Sequence, residues 1–116
     1  MAQEDCIFCR IIAGDIPSKK VYEDDVCIAF NDLSPQAPVH KLIVPRKHFA
    51  SLATADKEHQ EILGHLLLTC GKIARDENVA EDGYRVVINT GEHGGQTVFH
   101  LHVHLLAGRA FVFPPG

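Results

Sequence analysis

The chain has 116 residues and a mass of 12.8 kDa, enough for one domain over residues 1–116 and too little for a second catalytic domain. Apolar residues make up 46% and charged residues 22%, the balance of a globular chain rather than a disordered one. Lys and Arg total 11 against 15 Asp and Glu; the net charge of −4 argues against binding nucleic acid or an anionic membrane, though not against a single nucleotide phosphate.

The start, Met1-Ala2-Gln3-Glu4-Asp5, is acidic and leads into no signal-like apolar core, so a cytoplasmic location is expected. In that compartment Cys6, Cys9, Cys27 and Cys70 read as thiols or ligands rather than disulfides. Residues 6–13 predict a short helix with Ile7, Ile11 and Ile12 on one face, stopped by Gly14. Val21-Tyr22 is a short β-like stretch. Residues 25–31 alternate, with Val26, Ile28 and Phe30 on one apolar face of a strand. Ser34–Pro38 turns, because its prolines break pairing, and residues 40–44 form a further strand. Residues 56–77 predict the one long helix, with a stripe of Ile62, Leu63, Leu66, Leu67, Cys70, Ile73 and Ala74. Gly64 and Gly71 lie within it at a cost of about 1 kcal/mol each, which suggests that another backbone packs close by. Residues 84–90 and 98–106 predict two strands joined by the glycine-rich loop 91–96, too short for a crossover and so antiparallel. The expectation is an α+β fold, a mostly antiparallel five-stranded sheet with one long and one short N-terminal helix.

Histidine is the outlier: eight in all, three of them at 100, 102 and 104. Side chains alternate in a strand, so His100, His102 and His104 project from one face while Leu101, Val103 and Leu105 bury the other. The outer two lie roughly 13 Å apart along a strand, whereas two nitrogens on one zinc sit only about 3.3 Å apart. One metal therefore cannot easily take all three, although two of them could share one. A solvated polar face is the plain alternative. Acid–base or nucleophilic chemistry is the sharper one, since imidazole titrates near neutrality. The upstream Gly91…Gly94-Gly95-Gln96-Thr97 loop, with Asn89 before it, could cradle an anion through N–H, hydroxyl and amide donors, or could be a plain hairpin turn.

The run His100-Leu101-His102-Val103-His104-Leu105-Leu106 resembles the signature of the histidine triad (HIT) superfamily. The resemblance continues through Phe30–His40, Val44–His48, Asp82–Arg85 and Gly94–Phe99 to the Pro-Pro-Gly end. It is closest to the Hint branch, hydrolases of purine nucleoside phosphoramidates. It implies the HIT fold, a homodimer through the long helix and an adjoining strand, and AMP- or GMP-amine conjugates as substrates. It further implies His102 as the nucleophile that becomes nucleotidylated, His104 on the phosphate, His40 backing the nucleophile, and Asn89, Thr97 and the loop N–H groups of Gly95 and Gln96 on the oxyanion. Asp32 would bind the ribose hydroxyls, and Phe8, Ile11, Phe30 and Leu33 the purine. Core packing for Phe30 and turn capping for Asp32 are the plainer roles. The chemistry would need no cofactor. A structural zinc on Cys6, Cys9, His48 and His100 is implied by those superfamily members that carry this ligand set. Thr97, Phe99 and Phe113 depart from the usual serine, tyrosine and tryptophan. A dinucleoside polyphosphate hydrolase and a non-catalytic nucleotide-binding partner protein are the competing readings.

Overall fold

The computed structural model describes residues 5–116; the acidic stretch 1–4, on which the location expectation partly rests, lies outside the described residues. In chain order the elements are α1 (Ile7–Ala13), β1 (Lys20–Glu23), β2 (Cys27–Asn31), β3 (Val39–Pro45), two 3₁₀ turns (Leu52–Thr54 and Lys57–His59), α2 (Gln60–Asp76), β4 (Tyr84–Val87) and β5 (Val103–Ala107). The five strands form one sheet in the order β1-β2-β3-β5-β4, every neighbour antiparallel. This is the expected α+β architecture.

Each face of the sheet is covered by one helix. On one face α2 lays Leu66, Cys70 and Ile73 over Cys27, Ala29, Ile43, Val103 and Leu105. On the other, α1 lays Phe8, Cys9 and Ile11 over Ile28, Phe30, Leu42 and Val44. β2 is consequently buried on both sides from Cys27 to Phe30, not on the single face of Val26, Ile28 and Phe30 that alternation suggests. Small Cys27 and Ala29 do not stand out as apolar in the pattern, but they are what lets α2 approach.

Several details of the elements differ from expectation. α1 buries Phe8, Cys9 and Ile11, while Ile7 is half exposed and turns toward a cavity. α2 begins at Gln60 rather than 56, because Asp56 caps the preceding 3₁₀ turn through Glu58 N–H and His59 Nδ1 accepts from Asp56 N–H. That turn buries His59 against Phe49. Leu67, counted in the buried stripe, is half exposed. β5 pairs only from Val103, so His100 and His102 precede the ladder. Leu101 is nevertheless buried like Val103 and Leu105.

Gly14 ends α1 at φ 85°, and its N–H and that of Asp15 close back on Ile11 and Arg10 carbonyls. The chain then enters β1, where Asp24 anchors the β1–β2 turn. One carboxylate oxygen accepts the N–H groups of Val26 and Cys27; the other accepts Tyr22 Oη at 2.7 Å and His65 Nε2 at 2.7 Å. Burial alone would raise this carboxyl, but the hydrogen bonds from Tyr22, Cys27, His65 and Val26 outweigh it and hold the group well below the usual carboxylate range. Asp24→Ala is expected to destabilise the domain by about 2–4 kcal/mol. A depressed folded-state pKa means the contribution is complete above the ordinary carboxylate pKa near 4 and is lost as pH falls below it. Urea midpoints of wild type and variant should therefore converge as the pH is lowered through that range.

Candidate active site

α1, the end of β2, the 91–97 loop and the approach to β5 enclose a cleft of about 340 Å³. That is at the small end of the range for ligand pockets. Phe8, Ile11, Phe30, Asp32, Leu33, Asn89, Gly95, Thr97, His102 and His104 all line it. Reading from sequence missed Ile7, Asn31, Leu42 and Val98 on the same walls. Val98 and Leu42 look like core positions. Ile7 follows from α1's true orientation, which periodicity over one and a half turns cannot fix.

At one end the cleft is apolar. Phe8 meets Phe30 edge-on at 5.7 Å between centroids, so Phe30 is both core and cleft wall. Leu33 is 98% exposed, an apolar side chain left out of every core contact at the cleft mouth. Asp32 sits between this slot and the histidines. Its Oδ1 accepts Ser34 N–H at 2.8 Å, which is the turn-capping role, and its Oδ2 lies 3.5 Å from His40 Nε2.

The other end is polar. His102 is buried with its Nδ1 2.8 Å from the His100 carbonyl oxygen. A carbonyl only accepts, so Nδ1 carries the proton and Nε2 keeps a free lone pair. Phe8 stands nearly perpendicular to the ring at 5.0 Å and fixes its plane. His104 Nδ1 lies 2.9 Å from His40 Nε2, and His40 Nδ1 accepts the Gln36 backbone N–H at 3.0 Å. That N–H can only donate. It forces neutral His40 to carry its proton on Nε2 and to donate to His104, which in turn must carry its own on Nε2. The relay ends in an N–H donor beside His102. His40 therefore contacts His104 and not the expected nucleophile. Burial lowers all three rings: His104 to about 4, helped by His102 and His40; His102 against its hydrogen bond to the His100 carbonyl and the pull of Asp32; and His40 against Asp32. The direction of all three shifts favours the neutral ring.

Two parts of the expected anion cradle are not available. The Gln96 side chain is buried away from the cleft, its Oε1 accepting Gly91 N–H and its Nε2 donating to the Ala50 and Val98 carbonyls. The N–H groups of Gly94, Gly95 and Gln96 are spent inside the loop on Gly91 and Glu92 carbonyls. Of the donors expected around the phosphate, Asn89, Thr97 and His104 remain on the cleft wall. The loop's glycines serve its tightness instead: a methyl built on Gly94 would run into the Thr90 carbonyl, and Asn89 Nδ2 ties Gly94 O at 2.7 Å.

His100 turns away from the cleft. It is fully buried, and its Nε2–H donates to the Pro45 carbonyl at 2.8 Å, leaving Nδ1 as a lone pair. Nδ1 lies 3.4 Å from Cys6 Sγ, 3.5 Å from Cys9 Sγ and 3.0 Å from His48 Nδ1, with Cys9 Sγ to His48 Nδ1 at 3.3 Å. These spacings match the edges of a tetrahedron with ligand bonds of about 2.0–2.3 Å.

The HIT domain model matches residues 13–111. The chain belongs to the HIT family. Over 106 residues it is 49% identical to a purine nucleoside phosphoramidase of Escherichia coli, covering 91% of this chain and 89% of that protein. A HIT family hydrolase from Legionella pneumophila superposes with a TM-score of 0.94 at 45% identity, covering 97% of this chain and all of that one. A zinc-bound histidine triad family protein from Mycobacterium smegmatis superposes with a TM-score of 0.76 at 31% identity, over 90% of this chain and 76% of that one. Among the described residues no helix is long and apolar enough to cross a membrane.

Proposed function

We propose that this HIT protein hydrolyses purine nucleoside phosphoramidates in two steps through a nucleotidyl group on His102. The observation that carries the reading is the His102 tautomer: a neutral ring, locked by a backbone carbonyl, presents Nε2 to a cleft whose far end is apolar and whose near end offers donors. The 49% identity to a named phosphoramidase supports the same chemistry.

The purine lies between Phe8, Ile11, Phe30 and Leu33. Asp32 Oδ2 accepts a ribose hydroxyl; its Oδ1 stays with the turn. His102 Nε2 attacks the α-phosphorus, a new N–P bond forms, and the P–N bond to the amine breaks as the departing nitrogen gains a proton. His104 Nε2–H, the Asn89 amide and Thr97 hold the charge on the phosphoryl oxygens. Water then attacks the phosphorus and loses a proton, the N–P bond to His102 breaks, and the mononucleotide leaves. Imidazole serves both steps because it is a neutral nucleophile and a tolerable leaving group. His40 is a positioning residue, setting the proton on His104.

The Cys6, Cys9, His48 and His100 donors fit a closed zinc site, and the zinc-bound HIT neighbour supports that assignment. A bound zinc would tie α1 to the sheet and, with four protein ligands, would leave no position for a reacting water. The homodimer rests on a different surface. β4 is an edge strand, and Leu68, Leu67 and Tyr84 are exposed to 78%, 49% and 39% beside it. Outside α2's own backbone nothing in the described residues comes within 4 Å of a methyl built on Gly64, and only the Arg75 and Tyr84 side chains approach one on Gly71, so the close backbone that the sequence suggests is not supplied within this chain. Solution scattering should give twice 12.8 kDa for the wild type and a single chain's mass for Leu68→Glu. A monomeric wild type would remove the dimer.

Trapping tests the central claim. A slow AMP-amine analogue, quenched in base, should leave a nucleotidyl adduct on the peptide containing His102. An adduct on another histidine, or turnover with none, overturns the mechanism.

A further inference from the structure

Cys6 and Cys9 act in the proposed function only as metal donors, yet they are also a dithiol. Cys6 caps α1 and Cys9 is the third residue of that helix, so their side chains meet across its first turn. Cys6 Sγ accepts Cys9 N–H at 3.4 Å, and the two sulfurs lie within 4.8 Å of each other. Both thiols are free and form a Cys-x-x-Cys pair, the spacing at which dithiols close into disulfides. Cys6, at 9% exposure, is the most accessible of the cysteines. Cys27 and Cys70 are 0% and 1% exposed beneath α2, where burial pushes their thiols up to about 12 and about 11 and so keeps them protonated. The two residues between Cys6 and Cys9 are Ile7 and Phe8, and both line the cleft. Phe8 stands 5.0 Å from His102 and 5.7 Å from Phe30 between ring centroids.

We propose that Cys6 and Cys9 are a reversible redox pair: a peroxide closes them into a disulfide, which expels the metal and switches off the cleft through Phe8. Closure of the pair stands on its own geometry; its effect on turnover rests on the phosphoramidase reading, and its effect on metal rests on the zinc site. Cys6 Sγ attacks one peroxide oxygen, an S–O bond forms and the O–O bond breaks, leaving a sulfenic acid and a water. Cys9 Sγ then attacks the Cys6 sulfur; the S–S bond forms, the S–O bond breaks and the hydroxyl leaves as a second water. The two sulfurs give two electrons to the peroxide. In the metal-free pair the two thiol protons end in the waters; in the loaded site the waters take their protons from solvent and the cation departs. A disulfide offers no thiolate, so His48 and His100 alone are left for a cation that takes four ligands. An S–S bond of about 2.0 Å is also far shorter than the separation of two thiolates on one zinc, roughly 3.8 Å. The turn that carries Phe8 must therefore re-form around it, and Phe8 is what fixes the plane of the His102 ring. A dithiol reductant reverses the step by exchange. Disulfides of this transient kind are the ones a reducing compartment tolerates.

The test treats the wild type, reduced and supplied with zinc, with stoichiometric hydrogen peroxide. The tryptic peptide that ends at Arg10 holds both cysteines and should lose about 2 Da, reversibly with dithiothreitol. Zinc should reach a chromogenic chelator in step with the disulfide, and Cys27 and Cys70 should still alkylate once the protein is unfolded. Turnover of an AMP-amine conjugate should fall by about 10- to 100-fold and return after dithiothreitol and zinc. Peroxide that leaves Cys6 and Cys9 as alkylatable thiols, or carries them to sulfinic acid with no disulfide, overturns the redox pair. A disulfide formed without release of zinc, or with turnover unchanged, overturns the switch. A protein that forms the disulfide and releases zinc, but turns over no phosphoramidate even when reduced, overturns the phosphoramidase reading and leaves the pair standing.

Discussion

His102→Ala is expected to lower turnover of an AMP-amine conjugate by roughly 10⁴-fold or more while AMP binding stays within about tenfold. The separation of these two effects follows from the division of the cleft. Binding draws on Phe8, Ile11, Phe30, Leu33 and Asp32, none of which depends on the His102 ring nitrogen that faces phosphorus. Attack draws on that nitrogen alone, because His104, the neighbouring ring, presents an N–H and not a lone pair. His104→Ala removes one donor to the developing charge and should cost about 10²- to 10³-fold, clearly less than loss of the nucleophile. Single-turnover kinetics with equilibrium AMP binding separates the cases. Turnover within tenfold of wild type in His102→Ala would falsify the two-step mechanism. A wild type that binds AMP and releases no amine would make the chain a nucleotide-binding module.

The alternation of histidine and aliphatic residues over 100–105 conveyed the side-chain directions correctly, although the ladder begins only at Val103. The pattern survives where the ladder does not, because Leu101 still joins Val103 and Leu105 in the core beneath α2. The same pattern cannot say that neighbours on one face do different work. His100 is drawn toward the cysteines by Pro45 O, and His102 toward the cleft by the His100 carbonyl; both bonds are long-range or backbone features without a local signal. The glycine loop misleads for a related reason. Composition shows that N–H groups can converge, not whether they turn outward to an anion or inward to Gly91 and Glu92 carbonyls, as they do here. The resemblance identifies His40 as the partner of the nucleophile, whereas the register, His40 opposite Leu106 and Leu42 opposite His104, puts the His40 and His104 imidazoles side by side, and His40 hydrogen-bonds His104.

Loss of zinc should lower the melting temperature by roughly 10 °C, corresponding to about 3 kcal/mol for a domain of this size. Protein isolated without added metal is expected to carry close to one zinc per chain. The cluster joins three separate parts of the chain: Cys6 and Cys9 at the start of α1, His48 after β3, and His100 before β5. α1 has seven residues, too few to hold as a helix by itself. What it positions is Phe8, which packs on both Phe30 and His102. Releasing α1 would loosen the purine slot and the nucleophile together. The ligand tautomer is already set for the metal, since His100 Nε2–H is engaged with Pro45 O and only Nδ1 is left to bind. Cys9→Ala should show the same fall in melting temperature as chelation of wild type, and chelator should then shift the variant no further. Metal-free wild type that melts no lower than the metal-supplemented protein would mean that the thiol–imidazole contacts alone hold α1 in place.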